Sequence, residues 1–395
     1  MPVLPPPGKA DPVLITARRT PIGTAGHSFG TLTTTDLAAP LLAEAGALAA
    51  DLQLPVDDVI LGNCLGPGGD VARIATLAAG LGPHVPAVTV DRQCGSGLDA
   101  VLQAASRVRA GDATMVLAGG VESASTAPWR SWPPTGDHPP RRYTRAPFAP
   151  DGYPDPDMGC SADELARSLG ISRSRQDEYA ARSHALAAKS VTAGVFDAEI
   201  LAVSGVRVDE RPRVGLTAAR LSRLRPAFTI DGTATAGNSC GVSDGAALLT
   251  VTTAEQAQRA DLPAIRILAA AVVGGDPALP GLAVPSAVRK LLRHHRCADV
   301  QISDIGAFEF TEAFAAVALA AIDGLGLNQE LVCSDGGAIG LGHPWGASGA
   351  ILLVRLMARM RREGGARLGV AACAIGGGQG IAVLVDNFAN ATDPT

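Results

Sequence analysis

Aromatic residues make up only 4% of this 395-residue chain, and lysine occurs three times, at Lys9, Lys189 and Lys290. With few rings, and apolar residues still at 47%, the core must come from Ala, Val, Leu and Ile. That composition suits buried strands covered by alanine-rich helices. Arginine carries nearly all the positive charge, and the net balance is −5. Such a balance argues against a general nucleic-acid or anionic-membrane binder. No apolar run is long enough to span a bilayer, and prolines fill residues 1–11, where a signal peptide would need an apolar core. No Cys-x-x-Cys pair occurs among the seven cysteines (64, 94, 160, 240, 297, 333 and 373). Their odd number and wide spacing speak for reduced thiols in a cytosolic compartment rather than a disulfide framework or a zinc site. The expectation is a soluble, cytoplasmic protein without a metal.

Strand-like and helix-like stretches alternate along the chain. Pro12–Ala17 reads as a strand, Asp36–Ala50 as a helix, Val59–Gly62 as a strand and Val71–Leu81 as a helix. This rhythm predicts an α/β fold with a mostly parallel sheet. From about Ser123 the pattern breaks into an irregular segment holding Trp129, Trp132, Arg141, Arg142 and Tyr143 among prolines and acids. The interleaved prolines and acids favour an ordered insertion over a single-strand nucleic-acid surface.

One stretch concentrates chemistry. Val88-Thr89-Val90 is a β-branched run, and Leu98, Val101, Leu102 and Ala105 recur at helix spacing after Gly97. Cys94 therefore sits where a strand hands over to a helix start. The positive end of the helix dipole there predicts a lowered thiol pKa and a nucleophile. A buried structural cysteine is the competing reading.

The last third repeats the first. Gly346-Ala347-Ser348-Gly349, an apolar helix, a Gly364-Gly365 turn and a strand ending in Gly376-Gly377-Gly378 mirror Gly95-Ser96-Gly97, helix, Gly111 and a strand ending in Gly119-Gly120. Ser96 and Ser348 correspond. Two similar halves, the first carrying an insertion, predict stacked α/β units with a site between them.

Several segments together resemble the thiolase family over essentially the whole chain. They include Arg19-Thr20-Pro21-Ile22-Gly23, Cys94-Gly95-Ser96-Gly97-Leu98, Gly119-Gly120-Val121-Glu122-Ser123, Thr235-Ala236-Gly237-Asn238, Glu312-Ala313-Phe314-Ala315, Gly340-Leu341-Gly342-His343-Pro344 and Gly376-Gly377-Gly378-Gln379-Gly380. The resemblance implies a five-layered αβαβα fold, with a first half in 1–122 completed by 236–273, an inserted CoA-binding loop domain in 123–235, and a second half in 274–395. It implies a homodimer or homotetramer that transfers acyl groups between coenzyme A thioesters, with no cofactor beyond those substrates. Cys94 would hold the acyl group, His343 would take the thiol proton, and Gly376 would donate to an oxyanion. Arg213, Met158, Cys240 and Phe314 would line the acyl-CoA site.

Some positions depart from the family pattern. Thr311 stands where Asn usually precedes Glu-Ala-Phe, and can still donate a hydrogen bond. Asp91, Asp157, Asp335 and Trp345 also differ, and Cys240 replaces a serine. The family's second catalytic cysteine lies in Cys-x-Gly-Gly-Gly, whereas this chain reads Cys373-Ala374-Ile375-Gly376. Counting from the glycines puts Ala374 at the base position, and counting from Gly346 puts Cys373 there. A one-residue slip on a strand turns a side chain to the other face. An extra residue in the Glu363-Gly364-Gly365 turn is the cheaper indel and leans toward Ala374, while a bulge could still deliver Cys373. Three readings stay open: a full acyl-CoA C-acyltransferase, an acyl-transfer or hydrolytic enzyme lacking the carbon–carbon step, and a non-catalytic CoA-binding subunit.

Overall fold

The structure is a computed structural model, and it describes residues 4–390. The first half runs β1 (Pro12–Arg19), β2 (Gly23–Thr24), α1 (Thr34–Asp51), β3 (Asp58–Gly62), α2 (Val71–Ala78), β4 (Ala87–Val90), α3 (Ser96–Ala110) and β5 (Met115–Ser123). An insertion follows, with β6 (Arg130–Trp132), β7 (Arg141–Tyr143), α4 (Met158–Leu169), α5 (Arg173–Thr192) and α6 (Ala218–Leu221). The chain returns through β8 (Ser243–Thr253) and α7 (Ala254–Arg259). The second half comprises β9 (Ile265–Gly274), α8 (Ala283–Leu292), β10 (Ala307–Phe310), α9 (Ala315–Leu325), α10 (Ala338–Leu341), α11 (Trp345–Arg361), β11 (Leu368–Ile375) and β12 (Gln379–Asp386).

The strands lie in the order β10-β11-β12-β9-β1-β8-β5-β3-β4, with β2 on β8. Only two residue pairs join β9 to β1, Val13 with Arg266 and Leu14 with Ile265, so the path bends there into two sheets. The expected mostly parallel sheet is corrected to a mixed one. Parallel pairing is confined to β3 with β4 and β5, and to β10 with β11. The reason is the return strands: β12 leaves β11 through the short Gly376–Gly378 turn, which enforces antiparallel pairing, and β8 re-enters antiparallel to both β1 and β5. The strand β9, placed by sequence with the first half, pairs along its length with β12 of the second.

Alternation along the strands builds the layers. Val116 and Leu249 of one sheet and Ala371 and Val383 of the other face α3 and α11 in between. The opposite faces meet α1 and α2 through Val59, Leu61 and Leu117, and α8 and α9 through Val370 and Leu384. The order is therefore α, β, α, β, α. Small residues let α3 and α11 touch: a Cβ on Gly97 would lie 2.8 Å from Gly346 O, and one on Gly349 2.6 Å from Leu98 Cβ. The repeated glycines thus seat the first turns of both central helices against each other.

The insertion satisfies its own aromatics, with Trp132 stacked on Tyr143 at 4.9 Å and the Arg142 guanidinium 3.8 Å above Trp129. It is tied to β1 by Arg19, which is fully buried and donates to Asp209 (2.7 and 2.8 Å) and Glu199 (2.8 Å). Arginine's planar fork suits such bidentate buried pairs better than lysine would. No helix among the described residues is long and apolar enough to cross a membrane.

Candidate active site

Cys94 lies on the turn between β4 and α3, two residues before the helix begins. Gln93 takes a left-handed conformation there, φ +46°. The Asp91 carboxylate stabilises that turn by accepting from the Gln93 N–H at 2.7 Å. Asp91 thus has a local structural role that its sequence position did not reveal. The main-chain N–H groups of Cys94 and Gly376 both favour a thiolate at the Cys94 sulfur. Burial outweighs them and pushes the thiol up to about 12, with Glu122 and Asp91 acting in the same direction. The expected lowered pKa is thereby corrected: desolvation of the thiolate exceeds what the helix start supplies. Cys94 rests as a neutral thiol and needs a base.

His343 is almost fully buried, in the turn between α10 and α11. Its main-chain N–H donates to Gly241 O (3.2 Å) and Ser243 Oγ (3.1 Å). Its Nδ1 lies 2.6 Å from Ser348 Oγ, while the Ser348 hydroxyl donates to Pro344 O at 3.0 Å. We assign the Ser348 hydrogen to Pro344 O, so that Ser348 accepts from His343 and the imidazole proton sits on Nδ1. The lone pair is therefore on Nε2, which is buried and has no hydrogen-bond partner. Burial also pulls the imidazole down to about 4. The side chain is a neutral imidazole with an uncommitted ring nitrogen.

Three loops are laced together around it. Cys240 N–H donates to Ala313 O at 2.9 Å, and Ser239 bridges to Phe314. Glu312 accepts from Tyr179 Oη (2.8 Å), Ser183 Oγ (2.6 Å) and Ile339 N (3.2 Å). Burial pushes the Cys240 thiol up to about 12, and the proximity of the Cys94 sulfur adds to that rise. Thr311 is buried, and its hydroxyl, beside the Cys373 sulfur, has no well-formed hydrogen bond of its own.

Cys373 and Ala374 part company. Cys373 faces the central helix layer with Ala371 and Ile375, whereas Ala374 packs on the outer cluster with Phe314 and is partly exposed. Cys373 is fully buried, and its thiol donates to the main-chain carbonyls of Cys94 (3.3 Å) and Ala374 (3.1 Å). Burial and the nearby Cys94 raise its pKa strongly. Its sulfur lies against the main chain of the Cys94 turn.

Of the expected substrate-binding residues, Met158 opens α4 half-buried beside Gly159, over which the Phe228 ring lies. Phe228 meets Phe314 edge to face at 5.7 Å, which brings Met158 and Phe314 into one apolar corner. Arg213 is exposed on the loop before α6. The inner arginine is Arg211, donating to Ile339 O (3.1 Å) and Ser239 O (3.3 Å). The other departures have plain roles: Asp335 pairs with Arg362 (2.8 Å), Asp157 precedes α4 facing Arg145, and Trp345 opens α11.

Sequence reasoning assigned no role to Glu122. Its buried carboxylate accepts from Cys64 N (3.1 Å), Leu65 N (3.1 Å), Asn63 Nδ2 (3.0 Å) and Gly346 N (3.0 Å). It thus joins the end of β5 to the loop after β3 and to the first turn of α11. The signal was a lone acid closing the Gly119-Gly120 strand end.

The family description "Thiolase, N-terminal domain" matches residues 12–255, and "Thiolase, C-terminal domain" matches residues 262–387. The chain belongs to the thiolase family. A relative in Bacillus subtilis, YhfS, provisionally named an acetyl-CoA C-acetyltransferase, is 41% identical over 384 residues, covering 95% of this thiolase and 99% of its own length. The acetyl-CoA acetyltransferase of Escherichia coli is 40% identical over 398 residues, covering 95% and 99%. The crystal structure of the Bacillus anthracis acetyl-CoA acetyltransferase superposes with a TM-score of 0.86 at 36% identity, covering 95% of this thiolase and 98% of that chain.

Proposed function

We propose that this thiolase is an acyl-CoA C-acyltransferase working through an acyl-Cys94 intermediate. One observation carries the reading: a thiol whose thiolate two main-chain N–H groups favour, in a chain whose neutral His343 keeps an uncommitted, buried Nε2. His343 takes the Cys94 proton as the sulfur attacks the thioester carbonyl. The N–H groups of Cys94 and Gly376 hold the oxyanion, the carbon–sulfur bond to coenzyme A breaks, and the proton passes to the departing thiolate. Such donors are worth most in a site closed to water. The α-carbon of a second acyl-CoA then gives up a proton to the regenerated neutral His343 and bonds to the acyl carbon as the acyl–Cys94 bond breaks and the sulfur recovers a proton. In reverse, a 3-ketoacyl-CoA is cleaved by CoA.

Met158, Phe314 and Cys240 line the acyl-CoA path in this reading, with Arg213 at its outer, phosphate-bearing end. No cofactor is required, because the thioester is already activated. The seven free thiols suit a reducing cytoplasm, and the assembly is a homodimer or homotetramer. Incubation with acetoacetyl-CoA and CoA should remove the enolate absorbance. No turnover with short, medium or branched 3-ketoacyl-CoAs would overturn the reading.

A second reading is favoured by the burial of Cys373. The carbon–carbon step needs a base at the α-carbon, and the side chain two residues before Gly376 is the methyl of Ala374. On this reading the enzyme forms acyl-Cys94 and passes the group to another acceptor. A stable adduct by mass spectrometry, lost in Cys94→Ser, without thiolysis of acetoacetyl-CoA, selects it.

A further inference from the structure

Phe148, in the insertion, reaches the nucleophile. A Cβ built on Gly376 would lie 2.6 Å from Phe148 Cε2 and 2.7 Å from Cδ2, so the ring rests directly on that glycine. Gly376 is the residue whose N–H favours a thiolate at the Cys94 sulfur. The ring therefore stands one residue's thickness from the oxyanion donors. The close approach also explains why position 376 carries no side chain.

The ring is fastened from its other side. The Arg145 guanidinium lies 4.7 Å from the Phe148 ring centroid. Arg145 donates to Asp155 Oδ1 at 2.8 Å and to the Asp155 carbonyl at 3.1 Å. The same carboxylate accepts from the Phe148 N–H, 3.3 Å from each oxygen. Phe148, Arg145 and Asp155 are all half-buried, so the clasp forms at the surface of the site rather than in the core.

We propose that Phe148 is a water-excluding cover over acyl-Cys94, and that Arg145 and Asp155 are positioning residues that hold it shut. The inference rests on the acyl-Cys94 reading above. An acyl thioester is lost when water attacks its carbonyl: the carbon–sulfur bond breaks, a free acid leaves, and a proton returns to the Cys94 sulfur. An aromatic ring against the oxyanion donors offers that water no hydrogen-bond partner and occupies its approach. The cover thus biases the intermediate toward transfer.

The test uses the full chain and acetyl-CoA. Two rates are measured: acetate release without an acceptor, and exchange of the acetyl group between acetyl-CoA and isotopically labelled CoA. Phe148→Ala should raise the ratio of hydrolysis to exchange at least tenfold. Phe148→Leu should keep it near wild type. Asp155→Asn and Arg145→Met, which leave the ring but loosen its hold, should raise it severalfold. A purely structural role would lower both rates together and leave the ratio unchanged. If Cys94 is acetylated and the ratio stays within twofold of wild type in Phe148→Ala and Asp155→Asn, the cover is refuted and the acyl-enzyme stands. If wild-type Cys94 takes up no acetyl group, both fall.

Discussion

Ser348→Ala separates a chemical role for the His343–Ser348 pair from a packing one. Ser348 Oγ accepts from Nδ1 at 2.6 Å and donates to Pro344 O at 3.0 Å, and that relay alone fixes the tautomer. Alanine leaves a buried Nδ1–H without a partner, which costs about 1–3 kcal/mol. Without that acceptor neither ring nitrogen has a partner, so nothing holds the proton on Nδ1 or the ring in place, and Nε2 loses its standing as a fixed acceptor. A general base contributes on the order of 10²–10⁴ in rate. Acetylation of Cys94 should therefore slow about a hundredfold in Ser348→Ala, while urea unfolding shows a loss of about 1–2 kcal/mol. Ser348→Cys, a weaker acceptor, should fall between. Rapid mixing with acetyl-CoA, followed by intact-mass measurement, gives the acylation rate. A variant that loses stability but acylates within threefold of wild type would refute the tautomer argument.

Acid should weaken the fold through two buried histidines. His343 and His184 are each pulled from 6.5 to about 4, burial being the first cause in both. Each neutral ring contributes stability that is complete above pH 6.5 and lost as the pH falls through 4, because the unfolded chain binds the proton first. The share is about 3 kcal/mol per histidine. Urea titrations at pH 7 and 4.5 should show His184→Gln losing one such share of pH dependence; an unchanged slope would refute it. Cys373→Ala should acetylate Cys94 within about threefold of wild type, since the thiol bonds to main chain only through its hydrogen; a drop beyond tenfold in intact-mass kinetics would contradict that.

What sequence reveals here divides by distance along the chain. The Cys94 turn was legible because Val88–Val90, the glycines and the following helix periodicity are neighbours. The duplicated halves were legible because Gly97 and Gly349 recur in the same local setting. The resting state of the Cys94 thiol was not, since local rules score the helix start and ignore burial, a property of both halves together. Glu122 was silent for the same reason: its partner Gly346 comes from the other half. Strand direction at β8 and β12 was hidden because alternation of elements says nothing about how a chain returns to a sheet. Which of Cys373 and Ala374 faces the central helices hung on one residue of register, and the packing of Ala371 and Ile375 puts Cys373 on that side.

The buried Arg19 has a consequence for anyone treating the insertion as a removable module. Its guanidinium sits on β1 of the first half, but both acids that neutralise it, Glu199 and Asp209, lie within the inserted segment. Trimming that segment would strip Arg19 of both acids and of the Phe196 ring it lies against, leaving an unpaired cation on β1, a defect of up to about 3–5 kcal/mol. A minimal version of this enzyme would have to replace Arg19 with an apolar residue at the same time. Loop and scaffold form one inheritance, to be transplanted whole or redesigned at both ends.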